Sequence, residues 1–167
     1  MSKKMTEAKQ AMDTLTPEGK LSEATLVSML GYQLAQASIV TMGNYQELMG
    51  KPYGLRPAEY TMLALIDGNP GVSPAQLAKA LGLSAPYVTA GLDKLCQRGW
   101  VTRESSTKDG RKQHVSTTEL GHEMATELTK IAIESEQERF NTLSHTEKLM
   151  LAELLRKLAQ CRPLLGV

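Results

Sequence analysis

Residues 73–118 read SPAQLAKALGLSAPYVTAGLDKLCQRGWVTRESSTKDGRKQHVSTT, and this stretch decides the fold. Ser73 and Gly82 fit the two ends of one short helix, since serine is a preferred N-cap and glycine is preferred just after a helix C-terminus. Ser84 and Gly99 fit the ends of a second helix in the same way. Two short strands joined by a charged loop follow. A helix, a tight turn, a second helix and a two-stranded wing are typical of a module that places one helix in the DNA major groove.

The segments around this module predict further helices. Residues 1–21 are polar and lack a sustained apolar period, so we expect a flexible N-terminal arm. Apolar residues at three- and four-residue intervals predict long helices over about 22–49, 118–143 and 145–160. The fold class that we predict is therefore all-α with a small β-wing. The last helix has a broad apolar face, which either packs on its own domain or pairs with a second copy of the chain.

The charge of the chain is small in total but unevenly distributed. The net charge of +1 gives no support to nucleic-acid binding. However, residues 94–112 carry six basic residues against two acidic ones, whereas residues 119–138 carry six acidic residues against one lysine. A basic module next to an acidic helix fits a protein that presents one face to phosphate.

Other classes of protein find little support in the sequence. Cys96 and Cys161 form neither a disulfide framework nor a metal-type spacing, and the three histidines are scattered. We find no phosphate-binding glycine loop, nucleophile motif or acid–base pair, so we predict no enzymatic activity, no cofactor and no metal. The sequence shows no signal peptide and no apolar run long enough to cross a bilayer, which predicts a cytoplasmic protein without a membrane partner.

Several short segments follow one another in an order and at a spacing that are specific in combination. They read LRPAEY at 55–60, LAKAL at 77–81, LSAPYVT at 83–89, LDKL at 92–95, RGWVTR at 98–103 and DGR at 109–111. Through these segments, the chain from about Leu26 to Gln160 resembles the MarR family of bacterial transcriptional regulators. The sequence departs from the family at Thr117, where leucine is usual, and at Ala85 and Ala90, where many members carry arginine.

The resemblance implies a domain over residues 22–163 that forms a homodimer. The winged helix-turn-helix would cover 55–118, and the dimerisation helices would lie in 22–54 and 119–163. Two such reading heads, one from each copy, would bind a palindromic operator in double-stranded DNA.

The candidate DNA contacts lie on the second helix of the motif and on the wing. Ser84 can instead serve only as an N-cap, and Lys94 can be only a solvated charge. We expect Arg111 to contribute most, inserted in a narrow minor groove and oriented by Asp109, although the two can also form an ordinary turn pair. The full set is Ser84, Ala85, Pro86, Tyr87, Thr89, Ala90, Lys94, Arg103, Asp109 and Arg111.

The resemblance also implies a small-molecule effector, which in this family is often an aromatic acid, a phenol or a thioester of one. It would bind where the dimerisation helices meet the DNA-binding lobe. Each candidate lining residue can instead belong to the core or to an interface, and the polar Gln36 among apolar neighbours is the most suggestive. The candidates are Tyr32, Gln36, Ile39, Tyr60 and Met62.

The function that we predict is sequence-specific DNA binding by a transcriptional regulator, a repressor released by a small ligand. The alternative belongs to another class. A protein–protein adaptor could use the same winged module for assembly, with its basic wing merely solvated. The two hypotheses differ in the dependence of DNA affinity on salt, which is steep only for a protein that neutralises phosphates.

Overall fold

The computed structural model describes residues 15–105 and 113–162. The chain divides into two units, one up to Gly43 and one from Asn44 onward. In the first unit, Leu15 and Ser22 form an isolated antiparallel bridge. A 3-10 helix then covers Ala24–Ser28, and helix α1 covers Leu30–Tyr45, so its last two residues belong to the second unit. Residues 1–14 of the predicted N-terminal arm lie outside the described residues, so the prediction of an arm over 1–21 remains open.

The single helix predicted over 22–49 is wrong in detail. Met29 has extended backbone angles (φ −90°, ψ 112°) and separates the 3-10 helix from α1. After α1 the chain widens into a π-helical turn, Gln46–Gly50, and a short α-helical turn, Lys51–Tyr53. Pro52 lies in this last turn and removes one amide donor from the end of the helix. Apolar spacing reports which side of a helix is buried, but it does not report such changes in backbone hydrogen bonding.

The second unit holds the predicted helix pair, wing and long C-terminal helices. The elements in chain order are α2 (Pro57–Asp67), α3 (Pro74–Leu81), α4 (Ala85–Gln97), β1 (Val101–Ser105), β2 (Gln113–Thr117), α5 (Glu119–Arg139) and α6 (His145–Ala159). The two strands are antiparallel, with Val101 opposite Thr117 and Ser105 opposite Gln113. The fold class predicted from the sequence, all-α with a small β-wing, is confirmed.

Local capping signals set most of these boundaries. The Ser73 hydroxyl accepts a hydrogen bond from the Gln76 amide, and the Gln76 side chain accepts one from the Ser73 amide, which is a capping box. Gly82 ends α3 with φ +65°, a left-handed conformation that side chains other than glycine adopt only with strain. Three residues therefore separate α3 from α4, and the turn between them is tight.

The core of the second unit lies between the helix pair, the wing and the helices on either side. It includes Met62, Leu63 and Ile66 of α2, Leu77 of α3, Val88, Leu92 and Leu95 of α4, Val115 of β2 and Leu128 of α5, each at most 1% exposed. A further strand-like contact was not predicted: Val72, before α3, forms an isolated bridge with Val115. The buried face of α4 is thus fixed from several sides, which orients its opposite face.

The last helix is different, because none of the described residues of α6 is buried. Its apolar side chains are 39–60% exposed in the single chain, and they are Leu149, Met150, Leu151, Leu154, Leu155 and Leu158. The structure of one chain therefore does not support the alternative that this face packs on its own domain. Among the described helices, none combines the length and the apolar character that crossing a bilayer requires.

Candidate nucleic-acid interface

The first two turns of α4 form the surface that matches the predicted DNA contacts. Ser84, Ala85, Pro86, Tyr87, Thr89 and Ala90 are all exposed. In the same helix Val88, Gly91, Leu92 and Leu95 are buried. Six predicted contact residues therefore share the outward face of one helix, and the buried residues hold the other face.

Ser84 occupies the N-cap position of α4 as predicted, but its side chain makes no capping hydrogen bond. The expected capping role of its hydroxyl is wrong in this structure. The exposed hydroxyl stands instead at a helix N-terminus, where unpaired backbone amides and the helix dipole favour an anionic group.

The side chains of this face have little charge. Tyr87 is 38% exposed and carries a phenolic hydroxyl. The Thr89 hydroxyl donates to the Ala85 carbonyl oxygen over 3.0 Å, which leaves its oxygen lone pairs available as acceptors. Pro86 and Ala90 offer only apolar atoms. Such a surface can contact thymine methyl groups and single base-edge donors, but it cannot form the paired bonds that arginine makes with guanine.

Arg103 connects the wing to α4. Its Nη2 lies 2.7 Å from Asp93 Oδ1 and donates to the Thr89 carbonyl oxygen over 3.3 Å. The Arg103 side chain is 25% exposed. Its predicted DNA contact would therefore come from a guanidinium that already links β1 to the middle of α4.

Lys94 also contacts protein groups in this structure. Its Nζ lies 2.8 Å from Glu59 Oε2 and 2.8 Å from the Gly54 carbonyl oxygen. Neither of the two alternatives predicted for Lys94, a solvated charge or a phosphate contact, includes these partners. Asp109 and Arg111 lie outside the described residues, so their predicted roles at the wing tip stay predictions.

The candidate effector residues fall in both units. In the first unit, the Tyr32 hydroxyl donates to Glu23 Oε1 over 2.9 Å, and Gln36 is half-buried. Desolvation, followed by the hydrogen bond and charge of Glu23, raises the pKa of Tyr32. Ile39 in the same helix is 65% exposed.

In the second unit, the Tyr60 hydroxyl shares a hydrogen bond of 3.1 Å with the Thr129 hydroxyl. Met62 is fully buried, and a Cβ atom at Gly91 would overlap the terminal methyl group of its side chain. For Met62 the alternative of a core residue is therefore the one that the geometry supports. Among the residues that the structure describes, no group of histidine, cysteine and carboxylate side chains is arranged to hold a metal ion.

Sequence reasoning missed a cluster behind α4 that holds this helix in place. It consists of Glu59, which is only 5% exposed, the turn before α2, and the C-terminal half of α4. The only available signal was the position of Glu59 three residues after Arg56, where a carboxylate can cap a helix.

Comparison with known proteins identifies relatives with the same architecture. The sequence model of the MarR family matches residues 53–112. The transcriptional repressor MprA of Escherichia coli K12 is 33% identical over 112 residues, which are 66% of this chain and 64% of MprA. The aligned region thus spans slightly less than two thirds of that relative.

Solved structures agree over a longer part of the chain. The transcriptional repressor CouR, bound to a 23-mer DNA duplex, is 27% identical with a TM-score of 0.77, and the match covers 84% of this chain and 99% of CouR. A Bordetella bronchiseptica regulator, BpsR, whose DNA binding is regulated by 6-hydroxynicotinic acid, is 22% identical with a TM-score of 0.71 over 79% of this chain and 94% of that one. This second likeness is one of fold. The adaptor hypothesis receives no support from these relatives.

Proposed function

We infer that this chain is a member of the MarR family, and we propose that it is a sequence-specific DNA-binding transcriptional regulator, a repressor that acts in the cytoplasm. The observation that carries the proposal is the outward face of α4. Six exposed residues from Ser84 to Ala90 lie on the first two turns of the second helix of a helix-turn-helix motif. That is the part of such a motif that contacts base edges in the major groove.

The chemistry of this face suggests how the operator is recognised. Tyr87 and Thr89 supply hydroxyl groups for base edges or phosphates, and Ala85, Pro86 and Ala90 supply apolar contact with thymine methyl groups. Since no arginine lies among them, recognition relies more on DNA shape, with Arg111 of the wing in a narrow minor groove and Asp109 orienting it.

We propose further that the chain acts as a homodimer on a palindromic operator. The apolar face of α6 supports this, because six apolar side chains between Leu149 and Leu158 are exposed in the single chain. An exposed apolar patch of this kind is typical of a surface that another protein covers. A symmetric dimer would place two α4 helices on successive major grooves of one face of the duplex.

A small ligand, such as an aromatic acid or an aryl thioester, would release the repressor. The support is membership of the family, and BpsR is an example of the same fold with a regulatory ligand. Tyr32, Gln36, Ile39 and Tyr60 remain the proposed lining residues. A ligand with about 100-fold different affinity for the two dimer geometries would supply roughly 2.7 kcal/mol of coupling. The proposal contains no catalytic step.

The decisive experiment is a titration of labelled duplexes from upstream of the gene, followed by fluorescence anisotropy at fixed salt. Wild type should bind one duplex much more tightly than an unrelated duplex of the same length. Arg111→Ala should lose about tenfold or more in affinity, the scale of one minor-groove arginine contact, with an unchanged melting temperature. Lys130→Met, on the exposed surface of α5, removes the same charge elsewhere and serves as the control.

Sedimentation of the same samples tests the dimer. A protein that sediments as a monomer and binds no upstream duplex in dilute buffer would refute the proposal. Near-native affinity of Arg111→Ala would remove the wing from the mechanism and leave α4 alone to explain specificity.

A further inference from the structure

The turn between the end of the first long helix and α2 has an unusual set of hydrogen bonds. We call residues 53–56 the linker turn. The carbonyl oxygen of Tyr53 accepts from Arg98 Nη1 over 2.7 Å, and that of Gly54 accepts from Lys94 Nζ over 2.8 Å. The next carbonyl oxygen, of Leu55, accepts from the Tyr45 hydroxyl over 3.2 Å. Three consecutive peptide oxygens therefore accept hydrogen bonds from side chains, one of which, Lys94, lies in α4 and another, Arg98, is the C-cap residue of that helix.

Lys94 also contacts a buried carboxylate. Glu59 Oε2 accepts from Lys94 Nζ over 2.8 Å and from the Arg56 backbone amide over 2.8 Å. Glu59 is 5% exposed, whereas the Lys94 side chain is 35% exposed. A buried carboxylate needs its partners, because an unpaired charge in a poorly solvated site is strongly unfavourable. Two of the three N–H donors of the Lys94 ammonium group thus bond the linker turn and α2.

Helical spacing alone suggests a different role for Lys94. It lies seven residues after Tyr87, two turns further along the same side of α4. A lysine at that place would be expected to reach a phosphate next to the groove. The observed geometry directs the ammonium group to Glu59 and Gly54, which belong to the protein.

Arg98, four residues after Lys94, also binds the linker turn. Its guanidinium carbon lies 4.9 Å from the ring centroid of Trp100, and its Nη1 bonds the linker turn. On the far side, the Tyr53 hydroxyl donates to Glu127 Oε1 of α5 over 2.8 Å. The linker turn thus contacts α4 and α5 through separate side chains.

We infer that Lys94 is a positioning residue, which sets the orientation of α4 by binding Glu59 and the linker turn, and that it makes no phosphate contact in the operator complex. This inference rests on the proposed DNA-binding function. Its physical basis is that α4 presents its contact residues on its first two turns, so a small rotation of its second half displaces them from the bases. The hydrogen bond from the Tyr53 hydroxyl to Glu127 also connects α5, a proposed dimerisation helix, to the linker turn.

The variant Glu59→Gln separates the two roles of Lys94. If Lys94 binds phosphate, loss of the Glu59 charge frees the ammonium group, and operator affinity stays equal or rises. If Lys94 acts through Glu59, operator affinity falls, although glutamine still accepts the hydrogen bond from the Arg56 amide. The two hypotheses therefore predict opposite signs for one substitution.

The experiment measures operator affinity of the full chain at several salt concentrations for Lys94→Met, Glu59→Gln, the double variant and the control Lys130→Met. We expect Lys94→Met to weaken binding by about tenfold, with a salt slope equal to that of Lys130→Met. We expect Glu59→Gln to weaken binding as well, and the double variant to bind no worse than Lys94→Met, because both changes break one interaction. The double variant also keeps the net charge and avoids an unpaired carboxylate, so it remains informative if Lys94→Met folds poorly.

Two results would overturn the inference. One is a salt slope for Lys94→Met that is shallower by about 0.9 per copy than that of Lys130→Met, as loss of a phosphate contact requires. The other is unchanged or tighter binding by Glu59→Gln. Hydrogen exchange in the absence of DNA provides a separate readout: residues 85–97 should exchange faster in Lys94→Met and Glu59→Gln than in Lys130→Met. If wild type binds no duplex, the proposed function fails, and equal exchange rates in this measurement would still refute the positioning role.

Discussion

A close approach of α5 to the backbone of Trp100 predicts a contrast between two glycines. Gly121, in the first turn of α5, lies against the backbone of Trp100, and a Cβ atom at position 121 would overlap the Trp100 carbonyl group. Gly91, in the middle of α4, lies against the thioether end of Met62. Gly121→Ala and Gly91→Ala thus add the same methyl group against a fixed backbone in one case and a flexible side chain in the other.

The loss in the free energy of unfolding depends on which atoms must move to make room for the added methyl group. The Trp100 peptide is held on both sides, since its amide donates to the Leu95 carbonyl oxygen over 3.1 Å and its carbonyl oxygen accepts from the Thr118 amide over 3.0 Å. Overpacking of such a site costs about 1–3 kcal/mol, and weakening one of these bonds costs roughly 0.5–1.5 kcal/mol more. The higher helix propensity of alanine returns at most about 1 kcal/mol. Together these contributions predict that Gly121→Ala lowers the free energy of unfolding by roughly 0.5–3.5 kcal/mol, with a central value of about 2 kcal/mol.

For Gly91→Ala the balance is different. Methionine has three rotatable bonds and adapts to irregular space, so the Met62 side chain can move away from the added methyl group. The gain in helix propensity in the middle of α4 offsets most of the remaining cost. We expect a change in the free energy of unfolding within about 1 kcal/mol of zero.

Urea denaturation measures both values. Trp100 is the single tryptophan of the chain, and its fluorescence reports on the site itself. Both variants must be compared at one protein concentration, since the stability of the proposed dimer would depend on it. If Gly121→Ala is as stable as Gly91→Ala, the approach of α5 to Trp100 is looser than the structure shows and the reasoning is refuted.

Three further predictions concern single side chains. Burial, followed by the charge of Glu59, raises the pKa of Tyr45 from 10.0 to about 12. Between these two pH values the folded state keeps a proton that the unfolded state loses, so the free energy of unfolding should fall as the pH rises from about 10 to about 12. Tyr45→Phe should remove the last tyrosinate step from the ultraviolet titration. Ser144→Ala removes a capping box, in which the Ser144 amide donates to Glu147 Oε2 over 2.7 Å and the Ser144 hydroxyl accepts from the Glu147 amide. The free energy of unfolding, measured by thermal unfolding, should fall by about 1 kcal/mol. A fall of less than about 0.3 kcal/mol would contradict the capping role. Arg103→Met breaks the 2.7 Å ion pair with Asp93 and should reduce operator affinity more than it reduces the free energy of unfolding. A loss of stability with unchanged operator affinity would show that the two strands alone position the wing.

Local signals in the sequence were sufficient for most of the fold. The capping residues Ser73 and Ser144 and the C-terminal Gly82 act within one turn of their helices, so their effect is readable without tertiary information. The bridge between Val72 and Val115 was missed because a single pair of residues has no period to detect. The break at Met29 was missed for the opposite reason: the apolar period continues through it.

The candidate site was predictable only on its outward side. The exposed positions Ser84, Tyr87 and Thr89 follow from helical periodicity once Val88 and Leu92 are assigned to the core. The partners of Lys94 do not follow from periodicity, because Glu59 lies 35 residues earlier and meets Lys94 only in the folded chain. The position of Glu59 three residues after Arg56 is compatible with capping its own helix, but the sequence analysis made no such prediction, and no local rule places a lysine of another helix beside it.

The distribution of cations has a consequence for the proposed binding of DNA. Of the six basic residues in 94–112, the structure describes three, Lys94, Arg98 and Arg103, and all three bond protein groups. If those bonds persist on DNA, these residues of a dimer would neutralise at most about six phosphates, through Lys108, Arg111 and Lys112, and their contribution to the slope of log affinity against log salt would be about −5 instead of about −11. With a net charge of only +1, the proposed regulator would bind non-specific DNA weakly and would depend on the fit of α4 to its operator. A measured slope near −11 would show instead that these three side chains exchange their protein partners for phosphates, and that the orientation of α4 is set on the DNA.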